Sequence, residues 1–568
     1  MENRRDNADK WVHDSSIDYK RRTPLRASTG VWKASLFIIA IEFSERLSYF
    51  GLSVNLIIYL TKFLHYELKE AAKSVNCWLG VTTLMAPIGG FMADAYLGRF
   101  ATVLISSLVY IVGLTVLTMS QLVPALKPNN SMKLHKTIFF TAIYLISTGT
   151  GGHKPSLESF GADQFDDDHP TEYRQKLSFF NWWNLGLCCG LLLGVTLIVY
   201  VEDTLGYGLA AITLTFIMLL SLFIFILGRP FYRFRIPRGS PLAPLFQTFA
   251  AAVSNRHLPL PPTADQLYEI PNSDKFLRHT DKFRFLDKAA IVGKDQQSSR
   301  RLATVTQVEE LKLVFSMIPI WLTSIPFGIC VTQTSTFFIK QASTMNRKLA
   351  AGFEIPPASV YALGAVAMII SVSFYEKLLV PFLRRATGNE RGISLLQRIG
   401  IGIAFSILAM ATAAIVERKR LWVAEAEKAA TLSMSVFWLV PQFMILGLGD
   451  GFTIVGLQEY FYDQIPDSMR SQGIALYLSA MGAASFLSSV LITVVDHVTR
   501  KMGTGSWFAK DLNKSRLDLF YWLLAVINGV NLCVYLFVAR RYSYKSVERR
   551  VGMDGSQGRD GGGAMAEP

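Results

Sequence analysis

Residues 41–51 read IEFSERLSYFG and place Glu42, Glu45 and Arg46 between two mostly apolar runs, WKASLFIIA and LSVNLIIYL. A membrane span needs roughly 20 mostly apolar residues, and the two runs together meet that length. One charge at the centre of such a helix costs about 2.5–3.5 kcal/mol on insertion scales. Three charges left unpaired would cost several times as much, so this face must point into protein or a wet cavity. Positions i, i+3 and i+4 share one helix face. Glu42 can therefore pair with Arg46, and Glu45 lies beside them. The cluster is either a structural clamp between helices or a proton site, a carboxylate whose charge depends on whether Arg46 is engaged elsewhere. Intramembrane carboxylates are functional by default, and the proton site is the reading taken forward.

A second charge sits in TGTGGHKPSLESFGADQFDDD, where Lys154 ends the fourth apolar segment. The glycines are not a phosphate loop, because that motif places Ser or Thr after the lysine and Pro155 stands there. Gly149, Gly151 and Gly152 instead allow helices to approach closely. Lys154 then projects into the bundle and needs an anion, either a substrate or a carboxylate of another helix. Asp450, in LVPQFMILGLGDGFTIVGLQ, is the more central candidate, and Glu459 further along the same span anchors a loop. A Lys154–Asp450 bridge between two halves of a bundle would act as a gate, and its plain alternative is a static ion pair. Asp94, Gly98 and Arg99 form a short acidic–glycine–basic turn after the second span, suited to latching two helix ends. Tyr49, Phe50, Trp182, Trp183 and Trp321 are candidates to line a pocket, although most aromatics in membrane bundles serve packing or the interface.

The elements that position these residues follow from composition. The 568 residues are 51% hydrophobic and only 18% charged, with mean hydropathy +0.30, which fits a polytopic all-α membrane protein. About 12 apolar segments are long enough to span. Between the sixth and seventh lies the one long polar stretch, rich in Arg, Lys, Pro and Ser. The expected organisation is an N-terminal cytoplasmic tail (1–31), a six-helix half (32–228), a basic cytoplasmic linker (229–307), a second six-helix half (308–542) and a Gly-rich disordered tail (543–568). Two pseudo-symmetric helical halves are a transporter layout. No cleaved signal peptide is read at the N-terminus.

The formal charge is +14, from 57 Lys+Arg and 43 Asp+Glu. Cytoplasmic segments of membrane proteins collect such residues, so the excess needs no nucleic-acid partner. It puts the N-terminus, linker and tail in the cytoplasm, although ERKRLWVAEAEK is basic and falls outside. Two sequons, at Asn129 and Asn513, fall in predicted outer loops and are candidate glycosylation sites. The five cysteines lie in apolar stretches without CxxC or Cys/His spacing, which excludes a disulfide frame or zinc site. No nucleophile–base pair or cofactor fingerprint suggests an enzyme.

Taken together, E-x-x-E-R on the first helix, D-x-x-x-G-R after the second, G-G-x-K on the fourth, FGADQFD after it and GLQEYFYDQ near the tenth resemble the proton-coupled peptide and nitrate transporter family of the major facilitator superfamily. The resemblance runs from about residue 29 to about residue 544. FFNWWN, FEIPPAS, LQRIG and DLNKSRLD are similar to the plant branch, and the fifth subfamily is the nearest. It implies a major facilitator fold working by alternating access. It further implies proton coupling at Glu42, Glu45 and Arg46, and a bridge near the substrate from Lys154 to Asp450. Tyr49 matches the aromatic that follows E-x-x-E-R, while Phe50 lacks the hydroxyl usual at the next position. Other departures bear on substrate. Cys188 replaces the asparagine of a peptide-binding step on the fifth helix. Val331 stands where some nitrate-transporting relatives carry histidine. Asp450 replaces the more usual glutamate and reaches one methylene less far.

The expected function is a proton-coupled symporter of a small organic or anionic solute, such as nitrate or a peptide-like or hormone-like compound. It has protons as coupling ion and no cofactor, and sits in the lipid bilayer of the plasma membrane or the vacuole. The rivals are an uncoupled carrier or exporter of a plant hormone or specialised metabolite, and a non-transporting solute receptor.

Overall fold

The computed structural model describes residues 10–549, apart from 13, 15, 129, 238, 240–242, 261–266, 269–274, 278, 292–301, 351, 388–392, 430, 466–469, 504, 543, 545 and 546. The candidate sequon Asn129, the Gly-rich tail from 550 and parts of the linker lie outside the described residues.

The first six long helices are α1 (Val31–Lys62), α2 (Leu68–Met92), α3 (Arg99–Leu122), α4 (Met132–Ala162), α5 (Pro170–Leu193) and α6 (Tyr207–Leu227). The second six are α7 (Val305–Thr332), α8 (Tyr361–Phe374), α9 (Leu395–Glu427), α10 (Val440–Gln464), α11 (Arg470–Lys501) and α12 (Leu517–Arg541). A wider π turn carries α5 on through Gly194–Ile198 into Val199–Thr204. Strand structure among the described residues is limited to two short antiparallel pairs, Lys275–Leu277 with Val547–Arg549 and Lys348–Ala350 with Phe353–Glu354.

Among the described residues, ten helical stretches are long and apolar enough to cross a membrane. The remaining two, α1 and α4, are as long, at 32 and 31 residues. What lowers their hydropathy is the charged and polar residues singled out above. The outward surface is apolar, with Phe216 64%, Val530 63% and Phe382 71% exposed. Patches of that size occur where lipid or another apolar partner covers the surface.

The chain divides into two compact units. The helical body comprises Met1–Ser240 and Met317–Tyr542, and the smaller unit comprises Pro241–Ser316 and Ser543–Pro568. Within the body, α4 packs on α2 and α3, and α1 on α5 and α6; in the other half α10 packs on α8 and α9, and α9 on α12. The glycines of α4 are used as their spacing suggests. A Cβ on Gly151 would lie 2.3 Å from Met85 Cβ, and one on Gly152 1.9 Å from Ser106 Oγ.

The halves meet along α2 and α11. Phe486 lies against Gly80, and Leu84 against Gly482, where an added Cβ would come within 2.7 and 2.9 Å respectively. Polar links between the halves gather at the end of the body opposite the N-terminus. Asn76 donates to Ser488 Oγ at 3.0 Å, and Lys340 donates to Thr61 Oγ1 at 3.0 Å. Lys69 pairs with Asp496 at 3.2 Å, and Lys510 with Glu67 at 3.2 Å. Glu67 lies outside the helices, and its bond from Lys510 holds its carboxyl below the ordinary value.

At the other end, the N-terminal segment is built into the body. Ile17 pairs with Phe234 as an isolated antiparallel bridge. Arg26 reaches Asp166 at 2.9 Å and Glu172 at 2.6 Å, while the fully buried Arg233 reaches Glu172 at 2.6 Å. One carboxylate, opening α5, thus joins arginines that are far apart in sequence. In the smaller unit, Lys312 Nζ sits 2.7 Å from Asp287 and 2.8 Å from Glu309, and donates to the Thr280 carbonyl at 2.7 Å. His279 Nε2 lies 3.1 Å from Asp287. The ammonium occupies the centre of that acidic group.

Candidate functional site

The E-x-x-E-R residues form one buried cluster on α1. Glu42 and Arg46 are 3% exposed and Glu45 fully buried. Arg46 Nε lies 3.2 Å from Glu42, one helical turn away, and Arg46 Nη2 pairs with Glu45. Thr150 Oγ1, from α4, donates to Glu45 Oε1 at 3.1 Å. The guanidinium stands over the Tyr49 ring at 5.4 Å. Tyr49 in turn stacks on Trp78 at 5.7 Å and meets Phe50 edge-on at 5.1 Å. Phe50 reaches across to Tyr361 of the second half, 6.3 Å between centroids. Two carboxylates sharing one guanidinium hold one net negative charge, which a single proton neutralises.

Lys154 follows Thr150 by one turn on α4 and is half-buried. Its charged neighbours are Arg46, Glu45, Glu42 and Glu158, all in the first half. The expected bridge to Asp450 is not made: no ion pair within 4.0 Å joins them. Asp450 Oδ1 is buried without a hydrogen-bond partner. Its neighbours are Tyr361, Tyr477 and Cys330. Lys154 has its charged neighbours in its own half, and aspartate reaches one methylene less far than glutamate. Glu459 pairs with Arg398 of α9 at 3.2 Å, so its bond is to a neighbouring helix of its own half.

The turn after α2 forms as expected. Gly98 takes φ +80° and ψ 152°, a backbone region open essentially to glycine alone. Arg99 then turns back to Asp94 at 3.2 Å, and also reaches Asp163, at the end of α4, at 2.5 Å. The latch thus joins three helix ends instead of two. Among the other aromatics, Trp183 is buried beside Phe179, and Trp182 is 55% exposed. Trp321 donates to Ser479 Oγ at 2.9 Å. At the candidate sequon, the Asn513 amide is bonded within the fold. Its Nδ2, the atom that would carry sugar, donates to the Ala429 carbonyl at 3.2 Å, and its Oδ1 accepts from Arg420 at 2.7 Å. Ser515 of the same sequon is fully buried.

Three site neighbours escaped the sequence reading. Thr150 and Glu158 lie one turn either side of Lys154, so four-residue spacing along α4 was the signal that could have found them. His153 is fully buried, with Ser107 Oγ 2.6 Å from its Nε2. Only the packing of α3 on α4 reveals it.

A helical body in two halves, with a buried charge cluster inside the first, is the architecture of a major facilitator transporter. Solved structures agree on the fold. An auto-inhibited POT family peptide transporter superposes with TM-score 0.66 over 92% of this chain and 99% of its own, at 20% identity. The POT family transporter PepTSo superposes with TM-score 0.68 over 89% and 97%, at 18% identity. The POT family model matches residues 100–508. Among curated proteins of Arabidopsis thaliana, NRT1/PTR FAMILY 5.6 is 56% identical, covering 96% of this chain and 97% of its own. NRT1/PTR FAMILY 5.7 is 54% identical, covering 98% and 95%. The chain belongs to the POT family, in its plant NRT1/PTR branch, and is a multi-pass membrane transporter, not an enzyme.

Proposed function

We propose that this transporter is a proton-coupled symporter of a small organic or anionic solute, working by alternating access in the plasma membrane with its N-terminus in the cytoplasm. The observation that carries the reading is the triple Glu42–Arg46–Glu45 cluster, buried in a helix that must cross lipid. Such a cluster is too costly to keep as filler.

In this reading the links at Asn76–Ser488, Lys69–Asp496 and Lys340–Thr61 close the outer end, and the form described faces inward. With the outer end open, a proton adds to Glu42 or Glu45 and frees part of the hold on Arg46. Substrate enters beside Lys154 and Tyr49, and an anionic group on it pairs with the lysine. Charge relieved on both sides lets the halves close outside and open inside. Loss of the proton to the cytoplasm resets the cluster. Asp450, whose buried oxygen lacks a partner, takes Lys154 or a substrate donor at another stage of the cycle.

Oocytes expressing the chain test this with nitrate, dipeptides and plant hormones as the panel, at acidic and neutral pH. One compound should give an inward current that is larger at acid pH. Glu45→Gln should abolish pH-driven accumulation while sparing exchange; unchanged accumulation in that variant would sink the proton role.

A further inference from the structure

A second buried carboxylate lies away from the E-x-x-E-R cluster. Glu202 sits on the short extension of α5, Val199–Thr204, at the end of the body where the halves are linked. It is 4% exposed. Asn55 Nδ2, from α1, donates to its Oε2 at 2.6 Å. Among the described residues no Lys, Arg or His pairs with it within 4.0 Å. Beside it is a cavity of about 30 Å³ inside the first half, lined in part by Asn55, Tyr59, Trp78, Gln121, Glu202 and Tyr207. A cavity holds a water from roughly 10–15 Å³ upwards, so this one has room for water at the carboxyl.

Tyr59 and Gln121 of that lining are bonded to each other, and Tyr59 to His135. His135 Nδ1 lies 2.7 Å from the Leu126 carbonyl, which can only accept, so Nδ1 carries the hydrogen. Tyr59 OH lies 2.7 Å from His135 Nε2 and accepts from Gln121 at 2.6 Å. His135, Tyr59 and Gln121 are thus bonded in one chain. The titratable groups beside Glu202 are its neighbour Asp203 and Tyr207 of α6, with Tyr59 of α1 in the same cavity lining. The nearest groups from α2 and α3 are Trp78 and Gln121, which do not titrate. Lys62 is turned to Asp203, at 4.0 Å. Glu202 is left as a buried acid with one amide donor, no cation and adjacent water-sized space.

The same helical turn touches the second half. Tyr200 stacks on Phe353 at 6.0 Å, and Asp203 lies 4.0 Å from Arg347. What happens at Glu202 is therefore one residue from the seal between the halves.

We propose that Glu202 is a second proton-binding site, separate from Glu42 and Glu45, that holds its proton while this end of the body is sealed. Its sidedness rests on the symporter reading above; the site itself does not. When the seal opens, water reaches the cavity along the displaced 199–204 turn. The proton leaves Glu202 Oε1 as hydronium, the carboxylate stays hydrated, and the reverse step reloads it before closure. Asn55 then positions the carboxyl in both states.

Infrared difference spectroscopy of the full-length protein in nanodiscs, taken across a pH step, tests this without a substrate. Wild type should show a protonated-carboxyl C=O band that Glu202→Gln loses and Glu45→Gln keeps. Asn55→Ala should move the frequency of that band, because its amide bond is gone, and this variant carries the test if Glu202→Gln folds poorly. Identical carboxyl bands in wild type, Glu202→Gln and Asn55→Ala would overturn the proposal. A band that behaves as expected in a protein showing no proton-driven uptake would keep the site and remove the symporter reading.

Discussion

Arg46→Gln should destabilise the protein by about 3–5 kcal/mol, the usual result of removing one partner of a buried ion pair. The magnitude follows from burial. Glu45 is fully buried and Glu42 is 3% exposed, so neither carboxylate can recover its lost cation as water. Thr150 supplies a single hydrogen bond to Glu45, which offsets about 1.5–3 kcal/mol at most. A domain of about 150–250 residues loses roughly 2–4 °C of melting temperature per kcal/mol, and longer chains lose less. At about 2.1 cal/mol/K per residue the 568-residue chain loses roughly 0.8 °C per kcal/mol, so a fall of about 3–4 °C is expected. The assay is thermal unfolding of purified protein in detergent, followed by tryptophan fluorescence. The triple variant Glu42→Gln, Glu45→Gln, Arg46→Met should recover most of the loss, because neutral replacement of a whole buried ion cluster is often harmless. It should also fail in pH-driven uptake. Arg46→Gln melting with wild type, or a triple variant no more stable than Arg46→Gln, would refute the argument that the charges stabilise one another in a dry interior.

Four further outcomes follow from contacts described above. Gly151→Val should cost about 1–3 kcal/mol by overpacking α4 against Met85, read as a lower melting temperature with the proton site intact. Asn76→Cys with Ser488→Cys should form a disulfide across the sealed end and stop uptake, with recovery on reduction; full uptake by the cross-linked protein would show that this seam does not open. Lys154→Met should remove uptake of an anionic substrate, while Glu158→Gln, which takes a competing charge from beside Lys154, should lower KM for the same anion. The Glu67–Lys510 link should survive mild acid: its carboxyl is held below the ordinary value, so the link is present above the unfolded pKa and is lost only as pH falls through the depressed folded one. Cross-linking yield at that pair, measured against pH, checks the sign.

The fold was legible because lipid imposes one rule on every span, and ten stretches obey it. The rule fails for α1 and α4 for the same reason that they matter, since Glu42, Glu45, Arg46, Lys154 and Glu158 interrupt them. The Glu42–Arg46 pair was readable from spacing along one helix. The Asp94–Arg99 turn was too, but its third member Asp163 is 64 positions from Arg99 and leaves no local signal. The same holds for the Arg26, Glu172 and Arg233 cluster, whose partners are 146 and 61 positions apart. The N-terminal segment, read from sequence only as a tail, is fixed to the body by these bonds. The Lys154–Asp450 bridge failed for a different reason. Sequence identifies two charges that can meet, while the packing that gives Lys154 charged neighbours within its own half is not legible in it. The bonds of the Asn513 amide to Ala429 and Arg420 join parts of the chain 84 and 93 positions apart, which the sequon does not announce.

The seam of α2 and α11 carries a further consequence. Gly80 faces Phe486 and Gly482 faces Leu84 with no room for a methyl group. Each glycine thus sets how easily the sealed form is reached, without touching proton or substrate. A substitution that disfavours that form by 1.4 kcal/mol shifts its population about tenfold. A single codon change from glycine to alanine at either site would be a dial on resting orientation. Selection could use it to retune a transporter's direction preference while leaving every charged residue in place.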